Sequence, residues 1–274
     1  MPDKRPTVAI VSLYDDAPGV LALRESAKKI GYTPKVVQLD AKNEHIKMEL
    51  EQADGIIYRV APRSYHTYEL LYAILSGTPA DLLARTLVAF DKIKSYEALI
   101  AHDVPTPKSW IITRESSPPR YPFIIKIAQG NQGKGVALIR NSKELNDFFA
   151  AHSQEKRFLA QLFIAESEGH DKRLIVAGDD VIAAMERHAD ASEFRANLHL
   201  GGKAQVYAPT KEEEKLAIRA VKSLGLPYGG VDMLDSKAGP LVLEVNPSPG
   251  FAIGSVVKKD VATEIIKRVL KEMR

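Results

Sequence analysis

The sequence has no cysteine in its 274 residues, which excludes disulfides, zinc–thiolate centres and thiol catalysis. No apolar run approaches the length of a membrane-spanning helix, and the opening Met1-Pro2-Asp3-Lys4-Arg5 lacks the apolar core of a signal peptide. A soluble cytoplasmic protein without a membrane partner is the expectation. Charge of one sign is not in excess. The formal net charge of +3 is too small to argue for nucleic acid, and no basic strand interleaved with aromatics supports that partner. Also missing are a Gly-x-Gly-x-x-Gly after the first strand, a Walker loop and a Ser/His/Asp arrangement. There is no internal repeat, low-complexity tract or long linker. What remains is an ordinary globular composition, 45% hydrophobic and 27% charged, in a chain long enough for two or three lobes.

Short β-rich runs alternate with helical periods at the start. Residues 7–13, 55–60 and a run beginning at Val36-Val37 read as strands. Residues 20–30 (stopped at Gly31), 46–53 and 65–75 (ending at Gly77) read as helices. This alternation predicts a small parallel sheet. A second unit begins near Leu87, with a helix over 91–102, breaks at Pro105 and Pro107, strands over 109–113, 123–128, 136–140 and 158–163, and a helix over 143–151. Strands over 173–177 and 181–187 join across Gly178-Asp179-Asp180. A helix over 211–224 follows, and a last helix near Lys259 carries Val261, Ile265 and Val269 as an apolar stripe. The expected class is α/β, with antiparallel sheets (α+β) in the C-terminal two-thirds.

Two segments carry chemistry. Asp232, Glu244 and Asn246 are set into apolar runs that read as a hairpin closed by a loop over 236–240. Buried carboxylates are costly unless something pairs with them. With that loop Asp232 lies opposite Glu244, and Asn246 shares the face by the two-residue period of a strand. Two carboxylates and an amide oxygen suit a hard cation such as Mg²⁺ shared with phosphates. A polar edge hairpin facing water is the bland alternative, and the flanking Val231, Met233, Leu243 and Val245 argue against it. Upstream, Lys126 stands alone in the apolar run 123–127 and precedes Gln129-Gly130-Asn131-Gln132-Gly133-Lys134-Gly135. Glycines let backbone N–H groups approach phosphate oxygens, with Lys126 as a fixed charge beside them. The alternative is a flexible turn with a snorkelling lysine.

A strand lysine, a glycine loop and an Asp…Glu-x-Asn hairpin in this order resemble the ATP-grasp superfamily, and within it the RimK-like glutamate ligases. The likeness runs from about Leu87 to the C-terminus and is densest over 129–136, 184–202 and 230–250. Its most specific element is Phe-Arg-x-Asn-Leu-His-x-Gly-Gly over 194–202. The first 85 residues resemble the family's N-terminal lobe only in layout and look shorter. The resemblance implies an ATP-grasp fold with a small N-terminal parallel α/β lobe (1–86), a central subdomain with a glycine-rich lid loop (87–163) and a C-terminal subdomain with the metal site (164–274).

The same resemblance implies roles. Lys92, Lys126, Gly130, Gln132, Gly133 and Gly135 would hold the phosphates of ATP. Gln161, Leu162 and Phe163 would meet adenine through the backbone, with Leu162 standing where relatives carry an acid. Asp171 and Arg173 would lie at the ribose. Arg195 and Asn197 would serve the transferred phosphoryl group as catalytic residues. Asp232, Glu244 and Asn246 would be ligands for Mg²⁺ or Mn²⁺. Bland readings stand beside these: Arg187 and Arg195 as surface ion pairs, Asp171 as a turn residue, His188 and His199 as structural, and Trp110 as packing.

The implied reaction is ADP-forming amide ligation through an acyl phosphate. Glutamate or a related amino acid is the favoured amine, and a carboxylate-ended peptide, protein or metabolite the acceptor. Arg59, Arg63 and Lys203 are candidates to hold an acidic group. Competing readings are a ligase for other amino acids, such as a dipeptide or amino-acid-carrier ligase, and a non-catalytic ATP-binding regulatory protein. Relatives are often homo-oligomers.

Overall fold

The computed structural model describes residues 5–39, 45–60, 81–130, 135–189 and 202–272. It begins with β1 (Thr7–Ser12), α1 (Pro18–Lys29), β2 (Thr33–Gln38), α2 (Ile46–Glu51) and β3 (Gly55–Tyr58). These strands form a parallel sheet in the order β2-β1-β3. Central β1 is an unbroken apolar run because both its faces are covered: Val8, Ala9, Ile10 and Val11 are fully buried. β2 starts three residues earlier than expected and admits Pro34 because it is an edge strand. α1 opens with Pro18, whose missing N–H costs nothing there.

Two helices follow, α3 (Asp81–Phe90) and α4 (Lys92–Ala101). α3 runs through the boundary expected near Leu87, and its Leu83 and Leu87 pack with Ala9, Val11 and Val37 of the parallel sheet. Asp91 caps α4 by accepting from the N–H groups of Ile93 and Lys94. A four-stranded antiparallel sheet comes next, from β4 (Ser109–Ile112), β5 (Phe123–Ile127), β6 (Val136–Ile139) and β7 (Phe158–Leu162), in the order β4-β7-β5-β6. Leu145, Phe148 and Phe149 of α5 (Ser142–Ala151) cover it, with Trp110 packed at the rim.

The third sheet is antiparallel and five-stranded. It comprises β8 (His170–Ala177), β9 (Asp180–His188), β10 (Lys203–Val206), β11 (Tyr228–Ser236) and β12 (Gly239–Asn246), in the order β10-β9-β8-β11-β12. Helix α6 (Lys211–Ser223), with a Thr210–Glu213 capping box, packs with Leu174, Val176 and Val231 of the sheet. The short α7 (Ile253–Val257) and α8 (Val261–Glu272) pack with Ile175, Ala183 and Met185. In α8 the expected stripe is fully used, because Ile265, Ile266 and Val269 join Val8, Ile10 and Ile57 of the parallel sheet in one core. Each such side chain contributes about 1.5–3 kcal/mol on burial. Asp260, accepting from the Thr263 N–H, sets the start of α8 two residues after Lys259.

Edge strand β10, polar and exposed, had no legible period, and the helix expected over 65–75 lies outside the described residues. Among the described residues no helix is long and apolar enough to cross a membrane.

Candidate active site

One cavity of about 450 Å³ is walled by residues of both antiparallel sheets, the start of α4 and the segment after β12. The β11–β12 hairpin supplies one wall. It turns through Lys237-Ala238 alone, since Ser236 pairs with Gly239 and Asp235 with Pro240, so the expected loop over 236–240 is too long. In an unbroken ladder this tighter turn would set Asp232 against Leu243. A bulge corrects it: Met233 pairs with Val242 but Asp232 with Glu244, leaving Leu243 as the extra residue. The expected Asp232–Glu244 pairing is therefore present, for a different reason. Asn246 Nδ2 donates to Glu244 Oε1 at 3.2 Å, and all three residues line the cavity.

Asp232 is only 2% exposed and held by arginines. Arg173 donates from Nε to Oδ1 and from Nη2 to Oδ2, each at 2.6 Å, and Arg187 Nη2 lies 3.0 Å from Oδ2. Burial pushes the Asp232 carboxyl up, but the two guanidinium groups outweigh it and hold the group at about 2. Arg187 also clamps Asp171, from Nε to Oδ1 at 2.6 Å and from Nη2 to Oδ2 at 2.5 Å. At 2% exposure Arg187 is no surface ion pair. Asp171, inside β8 because that strand begins at His170, is no turn residue. Its carboxyl is pushed up by burial, with Asp232 adding to the rise and Arg187 opposing it.

These contacts leave room for a cation. A carboxylate offers about four lone-pair positions, and the guanidinium contacts to Asp232 use one on Oδ1 and two on Oδ2. One position on Oδ1 remains, on the residue that pairs across the hairpin with Glu244. Among the described residues no cluster of three or more His, Asp or Glu is suited to a metal, so a cation here would have two acids and an amide as its protein donors. Such hard oxygens fit a divalent cation.

The lysines stand close by. Lys126, 5% exposed in β5, has its ammonium lowered to about 8 by burial, with Lys92 adding to the fall and Glu244 and Asp232 opposing it. Burial also lowers Lys92, opposed by Glu244. Lys92 is tied to the end of the second sheet: its backbone N–H donates to Ala128 O at 2.8 Å and its Nζ to Gly130 O, while Asp91 bridges Gln129. Gln161, 2% exposed, donates from Nε2 to Ser109 Oγ at 3.1 Å, and its buried Oε1 has no partner among the described residues. The Leu162 N–H donates to Lys108 O at 2.8 Å.

Lys92, Lys126, Gly130, Gln161, Leu162 and Phe163 all line the cavity, as do Asp171 and Arg173. Gly135 does not; its φ of +70° and a virtual Cβ 2.4 Å from Ile127 Cδ1 mark it as a turn glycine. Gln132, Gly133, Arg195 and Asn197 lie outside the described residues, as do Arg63 and His199. Arg59 lines the cavity whereas Lys203 is exposed on β10, so the two do not form one cluster. Exposed His188 pairs with Glu186 at 3.3 Å. The role of Arg187 was missed; its signal is cross-strand register, which sets Arg187 opposite Asp171 and Arg173 opposite Asp232.

Comparison with known proteins identifies the family and the fold. A family model described as the RimK-like ATP-grasp domain matches residues 86–269. A protein of Shewanella frigidimarina named probable alpha-L-glutamate ligase 1 is 34% identical, over 97% of this chain and 96% of its own. The likeness thus extends through the N-terminal lobe, beyond the shared layout that the sequence suggested. Among solved structures, D-cycloserine synthetase superposes with a TM-score of 0.75 at 17% identity, covering 98% of this chain and 100% of that one. A RimK domain ATP-grasp protein from Sphaerobacter thermophilus gives 0.70 at 22% identity, covering 96% and 99%. This chain belongs to the RimK-like ATP-grasp family.

Proposed function

We propose that this protein is an ATP-dependent carboxylate–amine ligase that adds glutamate, or a related amino acid, to a carboxylate-ended peptide, protein or metabolite. The observation that carries the reading is the meeting, in one cavity, of two lysines, Lys126 buried and Lys92 half-buried, with the Asp232, Glu244 and Asn246 side chains. The name of the Shewanella frigidimarina relative favours glutamate as the amine, and a need for ATP favours the cytoplasm.

A carboxylate is a poor electrophile, so it must first be activated. In the proposed reaction an acceptor carboxylate oxygen attacks the γ-phosphorus and ADP leaves. The amine then attacks the acyl carbon, inorganic phosphate departs, and the nitrogen loses a proton as the amide forms. The protein's part is charge neutralisation and alignment. Lys92 and Lys126 hold phosphate oxygens, and Gln161 with the backbone of Leu162 and Phe163 receives the adenine. Arg173 and Arg187 fix Asp232 so that it, Glu244 and Asn246 can hold a divalent cation, Mg²⁺ in this reading. Such an ion screens the charge of the phosphates. Arg195 and Asn197 are assigned to the transferred phosphoryl group by family resemblance.

The test is ADP release with Mg²⁺-ATP across a panel of amino acids and acidic peptides, with mass analysis and a Glu244→Ala control. Amino-acid-dependent release with a product one residue heavier supports the reading. ATP binding without stimulated turnover across a broad panel favours a regulatory protein, and failure to bind ATP overturns the site.

A further inference from the structure

Arg59 follows β3 at the carboxyl edge of the parallel sheet, the edge where ligands collect in open α/β sheets. Its guanidinium lines the cavity, reached from the lobe opposite the nucleotide residues. Nη1 donates to Pro249 O at 2.7 Å, and Cζ lies 4.6 Å from the centroid of the Phe251 ring. Both contacts fix the group, and neither neutralises it.

Among the described residues no carboxylate pairs with Arg59 in an ion pair or hydrogen bond. Its pKa is lowered by burial, and the one opposing influence is the Tyr228 phenol. A further neighbour is Gly19 in the first turn of α1, where a Cβ would stand 2.4 Å from Arg59 Nε and 2.6 Å from Nη2. That turn is the positive end of a helix dipole, and its N-cap residue, Ala17, offers no side-chain acceptor. The guanidinium therefore lies against another positive pole. A guanidinium has five N–H donors in a flat fork, and Pro249 O takes one of them. A cation held this way in a partly enclosed cavity is stabilised by an incoming anion, and its fork matches a carboxylate.

We propose that Arg59 is the recognition site for a substrate carboxylate that does not react. Arg59 lines the same cavity as Lys92 and Lys126 but follows a strand of the parallel sheet, a different element from theirs. The proposal rests on the ligase reading, which requires a carboxylate-bearing substrate in this cavity. Two sources share that chemistry: the α-carboxylate of the amine donor, and a second carboxylate on the acceptor. Gly19 is part of the site because any side chain there would displace the guanidinium.

The experiment is equilibrium binding to the full chain, saturated with Mg²⁺ and a non-hydrolysable ATP analogue. Two probe pairs are used: L-glutamate against its α-carboxamide, and a peptide ending in Glu-Glu against the same peptide ending in Gln-Gln, which keeps the reacting C-terminal carboxylate. The variants are Arg59→Gln and Gly19→Ala, the second of which keeps the charge and favours the helix. In both, affinity for one acid should fall about tenfold or more while its amide partner and the ATP analogue change by less than about twofold. The pair that responds identifies the source. Equal loss for acid and amide would mean a packing role and overturn the proposal. So would a retained preference in both variants, or wild-type protein that binds the ATP analogue yet prefers neither acid. A wild-type protein that does not bind the ATP analogue at all overturns the ligase reading itself, and this proposal with it.

Discussion

Arg187 Nη2 lies 3.0 Å from Asp232 Oδ2, and the same guanidinium clamps Asp171 in two-pronged contact. One buried cation thus spans two strands and two carboxylates. Truncating it in Arg187→Met leaves Asp171 buried without its cation, and stability should drop by about 3–5 kcal/mol in urea unfolding. Arg187→Lys keeps the charge but not the fork, and should recover only part of the loss.

Asp232 and Glu244 face each other, yet their substitutions should separate. Asp232→Asn strips Arg173 and Arg187 of a shared counter-ion, so it should lower both stability and turnover. Glu244 accepts a hydrogen bond from Asn246 alone among the described residues. Glu244→Gln should therefore unfold like wild type while losing at least about a hundredfold in Mg²⁺-dependent ADP release, the scale of removing one electrostatic stabiliser. Equal loss of stability in the two variants would contradict the difference in their contacts.

Lys126 should give the protein two opposite pH responses. Its ammonium, lowered to about 8 from an ordinary 10.5, loses its charge above pH 8 in the free protein. The kcat/KM for ATP should fall there, since that ratio reports the free enzyme. Between about pH 8 and 10.5 the unfolded chain binds the extra proton, so the contribution of this group to stability rises with pH over the same window. Lys126→Arg should keep ATP binding at pH 9, and an unchanged falling limb would assign it to another group.

The buried Gln161 Oε1 has no partner among the described residues, and Gln161 stands in the cavity wall assigned to adenine. Gln161→Met removes that orphan oxygen without changing shape much, so stability should hold within about 1 kcal/mol. The KM for ATP should rise and the preference for ATP over GTP should shrink. An unchanged preference would show that the amide does not read the base.

Besides the Arg59–Pro249 contact, two hydrogen bonds among the described residues dock the parallel sheet onto the site: Tyr228 OH donates to Tyr58 O at 2.6 Å, and Ser248 Oγ to Val60 O at 2.8 Å. Tyr228→Phe leaves the Tyr58 carbonyl without that donor, at a cost of about 1–3 kcal/mol. Urea unfolding should report the loss while nucleotide affinity, measured on the folded protein, stays near wild type.

The candidate metal donors could be singled out in the sequence because a carboxylate in an apolar strand breaks the period and asks for a reason. Even their pairing was read correctly, although the turn is shorter than expected and a bulge at Leu243 makes up the difference. The guanidinium clamps were not legible, because they depend on which strands neighbour β8, and sequence does not state sheet order. Helix α3 was missed because its apolar residues serve the first sheet while its place in the chain suggested the second unit. Gly19 drew no notice for a similar reason: the side chain that needs its bare backbone is Arg59, forty residues away.

The start of α4 is laced to the end of β5 by the Lys92 backbone and side chain and by the Asp91–Gln129 bridge. Lys92 and Lys126 therefore belong to one mechanical unit, although they lie on different elements. A hinge that swings the four-stranded sheet carries both ammonium groups together. A polyanion held by both would meet the two charges as one approaching wall rather than as two independent ones.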